Sequence, residues 1–234
     1  IDRVYVVRFD DTFSKRNATD FVKLILEKLR VVWLLVGDDF RFGADRKGDF
    51  SLLQKLSNKD TYMLESMPSL EYRGTRVSST YVRRSLAEGK MELSKALLGR
   101  YYTIRGRVVR GDAVGRKLGY PTANIDLKAR RLSMTGIFAV RVFLDNRLPL
   151  NGVASLGVRP TVKDNGGLLL EVNIFDFDEV LYGEYVTVEF LKKIREEKKF
   201  DGVDEMVVQM AVDVRLSRQF LNTKIRVNSP NTEE

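Results

Sequence analysis

Apolar and polar positions follow one regime up to Gly99 and another beyond it. In the first part, strand-like and helix-like patterns alternate. Val4 to Val7 (VYVV) is a short apolar run between charges, which predicts a buried strand. From Asp20 to Arg30, Phe21, Leu24, Ile25 and Leu29 recur at helical spacing, with Lys28 at the rim of that face. Val31 to Val36 (VVWLLV) is continuously apolar, as in a parallel strand covered on both faces, and it runs into a Gly-Asp loop, Gly37 to Gly43. A helix over Ser51 to Leu56 and a strand over Thr61 to Met67 continue the alternation. Ser78 or Ser79 caps a helix to about Ala87, and Met91 to Leu98 forms another, closed by Gly99. This order predicts an open α/β sheet with its binding crevice at the strands' carboxyl ends.

Beyond Gly99 the helical pattern almost disappears. Tyr101 to Val109, Gly136 to Phe143, Leu148 to Leu156, Leu168 to Phe175 and Tyr185 to Leu191 read as strands separated by Gly, Pro, Asn and Asp turns. Five or six such strands predict a closed barrel or sandwich. Val203, Val207, Met210, Val214, Ser217 and Leu221 step along one face of a final helix, which is expected to pack on the barrel; the polar tail from Asn222 is expected to fray. The domain boundary is placed at this break, giving residues 1–98 and 99–234.

Composition narrows the chemistry. The chain has 234 residues, 44% hydrophobic and 31% charged, the balance of a globular protein, and no apolar run reaches the ~18 residues that span a bilayer. It contains no cysteine, which suits a reducing cytoplasm and removes thiolate chemistry. It contains no histidine either, which removes imidazole bases and the usual zinc sites and leaves Asp or Glu as the general base. A net charge of +8 favours anionic partners. The chain begins with Ile in a strand-like run, so a further upstream segment is expected.

Gly111 to Asp126 (GDAVGRKLGYPTANID) is the most unusual stretch. Its glycines permit close backbone approach to an anion, Arg116 and Lys117 add positive charge, and Thr122 and Asn124 in a Pro-Thr-Ala-Asn turn offer oxygens of the kind Mg²⁺ accepts. That pattern points to a nucleotide-phosphate and metal site; it also fits a plain surface loop. Glu171 is centred in a strand whose alternation sets Leu170, Val172 and Ile174 on one face and Glu171, Asn173 and Phe175 on the other. Gly157 to Thr161 is a turn with one cation, and Ile194 to Phe200 reads as a functional segment or a solvated charge run. A rival reading is a basic β-barrel that binds RNA or another polyanion without catalysis; Tyr101-Tyr102 is the one cluster that invites it.

Six stretches, in order, carry a resemblance: GDDFRFG from Gly37, VSSTYVR from Val77, GRKLGYPTANI from Gly115, GVASLGVRPTV from Gly152, LEVNIFDFDEVLYG from Leu170 and FLKKIREEKKF from Phe190. Together they resemble the bacterial bifunctional riboflavin kinase/FMN adenylyltransferase (FAD synthetase) family. The resemblance implies a partial Rossmann-like nucleotidyltransferase α/β domain followed by a six-stranded antiparallel riboflavin kinase barrel with a C-terminal helix. It implies ATP- and Mg²⁺-dependent phosphorylation of riboflavin to FMN. In it, Gly111, Gly115, Arg116, Lys117, Gly119 and Thr122 would bind ATP, and Thr122 and Asn124 the metal. Glu171 would be the base, and Arg159, Arg195, Glu197 and Phe200 would lie on the flavin side. Gly37, Asp39, Phe40, Arg41, Phe42, Ser78, Ser79, Thr80 and Arg83 would belong to the adenylyltransferase. The histidine motif with which that domain opens in the family is missing, so this chain is expected to make FMN and not FAD. The expected partners are riboflavin, FMN and ATP, without nucleic acid or membrane, for a cytoplasmic monomer or weak homo-oligomer.

Overall fold

The computed structural model describes residues 2–57, 62–111, 114–128, 132–145, 147–158 and 168–228. Two compact units divide at Arg76 and Val77.

In the first unit, Asp10 and Asn17 cap the short helices α1 (Asp11–Ser14) and α2 (Ala18–Lys23), their side chains accepting from the Phe13 and Asp20 amides. α2 continues into a π-helical turn, Leu24–Lys28. Strands β1 (Trp33–Gly37) and β2 (Met63–Met67) pair in parallel, with a 3₁₀ turn (Ala44–Arg46) and α3 (Phe50–Leu56) between them. A small hairpin, β3 (Glu71–Tyr72) and β4 (Thr75–Arg76), ends the unit. Its core is Ala18, Val22, Val36, Phe42 and Leu53.

Two expectations fail here. Residues 4–7 form no strand, and Val4, Tyr5 and Val6 are exposed, because an extended run without a hydrogen-bonded neighbour has little to hold it. The run at β1 is covered on one face only: Leu34 and Val36 join the core, whereas Trp33 and Leu35 stay 54% and 44% exposed.

In the second unit, Ser78 caps α4 (Ser79–Ala87), its hydroxyl accepting from the Tyr81 amide, and Gly99 closes α5 (Met91–Leu98) at φ 72°, a conformation that favours glycine. Ser85 and Ser94 share a buried hydroxyl contact of 2.7 Å between the two helices. Leu86 and Met91 belong to the core of the barrel. The compact unit therefore starts at Val77, ahead of the break in periodicity at residue 99, because these helices bury their apolar face against the strands that follow.

Six strands close the barrel: β5 (Tyr102–Val109), β6 (Ala123–Ile125), β7 (Gly136–Leu144), β8 (Leu150–Val158), β9 (Leu168–Ile174) and β10 (Tyr185–Arg195), in the spatial order β10-β5-β6-β9-β8-β7. Every pairing is antiparallel. Closure gives each of the six strands a neighbour on both sides, although β6 covers only a short part of β5 and β9. β6 lies inside the stretch read as a turn; three residues are too few to show alternation. Alternate residues fill the interior, among them Ile104, Phe138, Val140, Leu156, Leu170 and Val188, all at most 1% exposed.

The outer wall carries a second layer. α7 (Val203–Asn228) packs there, and Leu221 meets Ala139, Phe175 and Leu191. The helix extends past the expected fraying point at Asn222. Register shifts in β10 between Phe190 and Lys192, and again between Lys193 and Arg195, extend that strand to Arg195 and let it bury Phe190 and Leu191 in succession. A short helix, α6 (Val114–Lys117), lies between β5 and β6.

Beyond the apolar layer, Arg218 of α7 donates twice to the Asp176 carboxylate, both bonds 2.8 Å, and lies 4.3 Å over the Phe175 ring. The hydrogen bond from Arg218 holds the Asp176 carboxyl below its ordinary 3.8. A carboxylate whose folded-state pKa is lowered contributes stability above the unfolded value and loses it as pH falls through the folded one. This anchor of α7 is therefore expected to be constant above about pH 5 and to weaken below 3.8. Carboxyl-carbon NMR titration should place Asp176 below 3.8 in the wild type and return it toward that value in Arg218→Gln.

Candidate active site

The outward face of three adjacent strands carries the polar chemistry. β6 pairs with β9 so that Asn124 stands opposite Glu171, and β9 pairs with β8 so that Glu171 stands opposite Ser155. One transverse row thus reads Asn124, Glu171, Ser155. Inward-facing Leu170 and Val172 are at most 1% exposed and fix the pleat, leaving the half-buried Glu171 no other side to face.

Glu171 and Ser155 open into a cavity of about 240 Å³ on the barrel's outer wall. Its apolar wall includes Ile137, Val153, Met206, Met210 and Val214, so α7 roofs it. Phe200, Glu197 and Arg195 line another side, and Gly115, Tyr120 and Thr122 the end next to Glu171. A second cavity of about 490 Å³ lies across the Pro121–Thr122 segment, lined by Arg116, Thr122, Val108, Phe177 and Tyr182. Arg110 packs its guanidinium 5.5 Å from the centre of the Tyr182 ring. Thr122 belongs to both cavities, so a molecule in each would meet beside Thr122 and Glu171.

The glycines act through close approach. A Cβ on Gly111 would overlap the Asn124 amide, and one on Gly115 would run into the Tyr120 carbonyl and sit 3.3 Å from Thr122 Oγ1. Gly119 has φ 83°, ending the turn after α6. Arg116 and Lys117 are exposed on α6. Asn124 is 8% exposed, which makes its side chain part of the wall.

Arg195 does not project as a free cation. Its Nε donates to both Asp213 carboxylate oxygens at 2.9 and 3.1 Å, its Nη2 to one at 2.7 Å, and its Nη1 to the Glu196 carbonyl at 2.9 Å. Asp213 is 4% exposed and also accepts from Gln209 Nε2. The pair therefore joins the end of β10 to α7 at the base of the cavity, with the Phe200 ring 5.7 Å from the guanidinium. Glu197 packs against Gly157, where any side chain would displace it. Arg159 lies outside the described residues.

In the first unit, Gly37 ends β1, and Asp39 accepts from Arg76 at 2.9 Å, which lowers the pKa of its carboxyl. Asp38 accepts from Ser69 at 2.8 Å. Phe40 and Phe42 stack with centroids 5.4 Å apart, and Arg41 donates to the Phe40 carbonyl. Ser78, Ser79, Thr80 and Arg83 lie in the second unit, at the exposed start of α4.

Asp213, Ser155 and Met206 had no signal of their own in the sequence. Helical spacing marked Met210 and Val214 as inward-facing, but only as packing, and alternation marked Asn173 as sharing the face of Glu171. Among the described residues, no helix is long and apolar enough to cross a membrane, and no three acidic, cysteine or histidine side chains cluster to hold a metal.

Comparison with known proteins finds a separate family for each part of the chain. The family model for riboflavin kinase matches residues 98–221, and that for FAD synthetase matches residues 1–81. The bifunctional riboflavin kinase/FMN adenylyltransferase of Haemophilus influenzae is 41% identical over 225 residues, 95% of this chain and 72% of that protein. Its Escherichia coli K12 counterpart is 43% identical over 223 residues, 94% of this chain and 70% of that protein. A solved Streptococcus pneumoniae chain, described as a macrolide-efflux protein, superposes with a TM-score of 0.73 at 32% identity, over 90% of this chain and 67% of that one. With such identity spread over nearly its whole length, the chain belongs to the bifunctional riboflavin kinase/FMN adenylyltransferase family.

Proposed function

We propose that the barrel unit transfers the γ-phosphoryl group of ATP to the 5′-hydroxyl of riboflavin, giving FMN and ADP. The observation that carries this reading is the register that puts Glu171 between Asn124 and Ser155, at the end of one cavity and next to the Thr122 wall of another. The cavity under α7 suits a flat ring: Met206, Met210, Val153 and Phe200 offer apolar surface, with Thr122, Ser155, Glu171 and Asn173 as polar groups at one end and Arg195, Glu197 and Asp213 at another side. Across Thr122, the cavity with Arg116 and Tyr182 suits a nucleotide, the cation toward the phosphates and the ring toward the base.

Glu171 is then the base. It takes the proton of the hydroxyl as that oxygen bonds to phosphorus and the bond from phosphorus to the ADP oxygen breaks. Phosphoryl transfer needs in-line positioning and charge neutralisation more than covalent participation by the protein. Thr122 Oγ1 and Asn124 Oδ1 beside the Glu171 carboxylate form a hard-oxygen set of the type that suits Mg²⁺, and Thr122 and Asn124 are the residues that would hold it. With no acidic cluster among the described residues, such an ion is expected to arrive with the nucleotide. When bound, Mg²⁺ would neutralise charge on the transferred phosphoryl group. Arg195 supports the flavin side indirectly, by holding the segment of Glu197 and Phe200 against α7. The loop from Gly37 to Phe42, with its stacked phenylalanines, is proposed for the family's second reaction, FMN adenylylation. Lack of cysteine suits a cytoplasmic enzyme.

Glu171→Gln keeps the shape and removes the base. It is expected to lower kcat on the order of 100- to 10,000-fold while riboflavin binding, followed by flavin fluorescence, changes little. A folded wild type that makes no FMN from riboflavin, ATP and Mg²⁺ would overturn the assignment. Arg195→Ala leaves Asp213 buried without its cation, which is expected to cost about 2–4 kcal/mol in urea unfolding and to raise KM for riboflavin more than KM for ATP. The double variant with Asp213→Ala should lose less than the sum of the two single losses.

A further inference from the structure

The backbone ladder between β6 and β9 ends at Ala123, opposite Val172. The next residues out are Thr122, on which both cavities converge, and Pro121, which has no N–H to extend a ladder. The Pro121 carbonyl is taken by a side chain instead: Asn173 Nδ2 donates to it at 2.7 Å. Because a carbonyl only accepts, the amide nitrogen faces Pro121 and Oδ1 is turned away. Asn173 is two residues from Glu171 on the same face of β9 and lines the same cavity. One side chain therefore bridges the strand that carries the carboxylate and the backbone that carries Thr122. The turn before it is tied locally, with the Leu118 and Tyr120 amides both donating to the Gly115 carbonyl, at 3.1 and 2.8 Å, and these bonds do not fix its distance from β9.

We propose that Asn173 is a positioning residue for phosphoryl transfer, a strut that holds Thr122 in place beside Glu171 through the Pro121 carbonyl. The inference rests on the kinase reading of the site. Its force comes from geometry: Thr122 stands where the two proposed substrates meet, and an error of about 1 Å in such a place costs on the order of 100-fold in rate. Main-chain pairing stops one residue short of Thr122, because β6 begins at Ala123.

Asn173→Asp keeps the side-chain shape but turns an acceptor toward the Pro121 carbonyl. Asn173→Ala removes the bond without adding charge near Glu171. Asn173→His restores an N–H donor, through Nδ1, at similar reach. In the Asp and Ala variants, kcat is expected to fall on the order of 10- to 100-fold and KM for ATP to rise, with KM for riboflavin within about threefold. Asn173→His should recover most of the rate. Hydrogen–deuterium exchange of amides 118–123 gives a readout that needs no turnover, faster in Asp and Ala and close to wild type in His. If wild type and Asn173→Asp share the same kcat and the same exchange, the strut is refuted. If the wild type lacks kinase activity, the reading of the site fails; faster exchange in Asn173→Asp would then still uphold the strut, and unchanged exchange would refute it.

Discussion

The antiparallel register across β6, β9 and β8 is the constraint on which the rest of the barrel unit depends. Side chains alternate with period two, so a slip of one residue would carry Glu171 into the barrel and Leu170 or Val172 out of it. Burial of Leu170 and Val172 opposes that slip, and closure of the barrel opposes it again, since each strand is held on both edges. The position of the carboxylate is thus secured by apolar residues whose side chains point to the opposite face of the strand. The same hydrophobic free energy that folds the barrel orients its chemistry.

A second layer converts this row into a cavity. On the barrel wall alone Glu171 would face open solvent; α7 supplies Met206, Met210 and Val214 as a roof. The helix is attached by apolar contacts at Leu221 and by two arginine–carboxylate pairs of different character. Arg218 and Asp176 meet near solvent, so their pairing is screened and adds modestly. Arg195 and Asp213 are mostly removed from water, so each is needed to neutralise the other, and their pairing selects one placement of the segment that follows β10.

The first unit follows the same rules to a different result. Its core is built on one face of a two-stranded sheet, and Trp33, Leu35, Met63 and Met67 remain exposed. Periodicity there gave the right element types from Asp20 onward, though not at residues 4–7, and an incomplete account of their burial. An apolar run states that a residue can be covered; whether another layer lies above it depends on what else packs there.

Much was legible in the residues themselves. The caps at Ser78 and Gly99, the inward face of α7 from Met210 to Leu221 (Val203, expected on it, is exposed), the barrel strands with their alternation, and Glu171 with Asn173 on one face all follow from local preferences and from the partition of apolar groups out of water, which act over a few residues. The family resemblance added expected roles for Thr122, Asn124 and Arg195. What only the tertiary structure decided are the pairings between residues distant in the chain: β6 as a strand, Ser155 beside Glu171, Asp213 on Arg195, Asn173 on the Pro121 carbonyl, and α4 with α5 in the barrel's unit. The reason is that a hydrogen bond or ion pair depends on where two groups meet in space, and that is set by register and closure, which no stretch of sequence contains by itself.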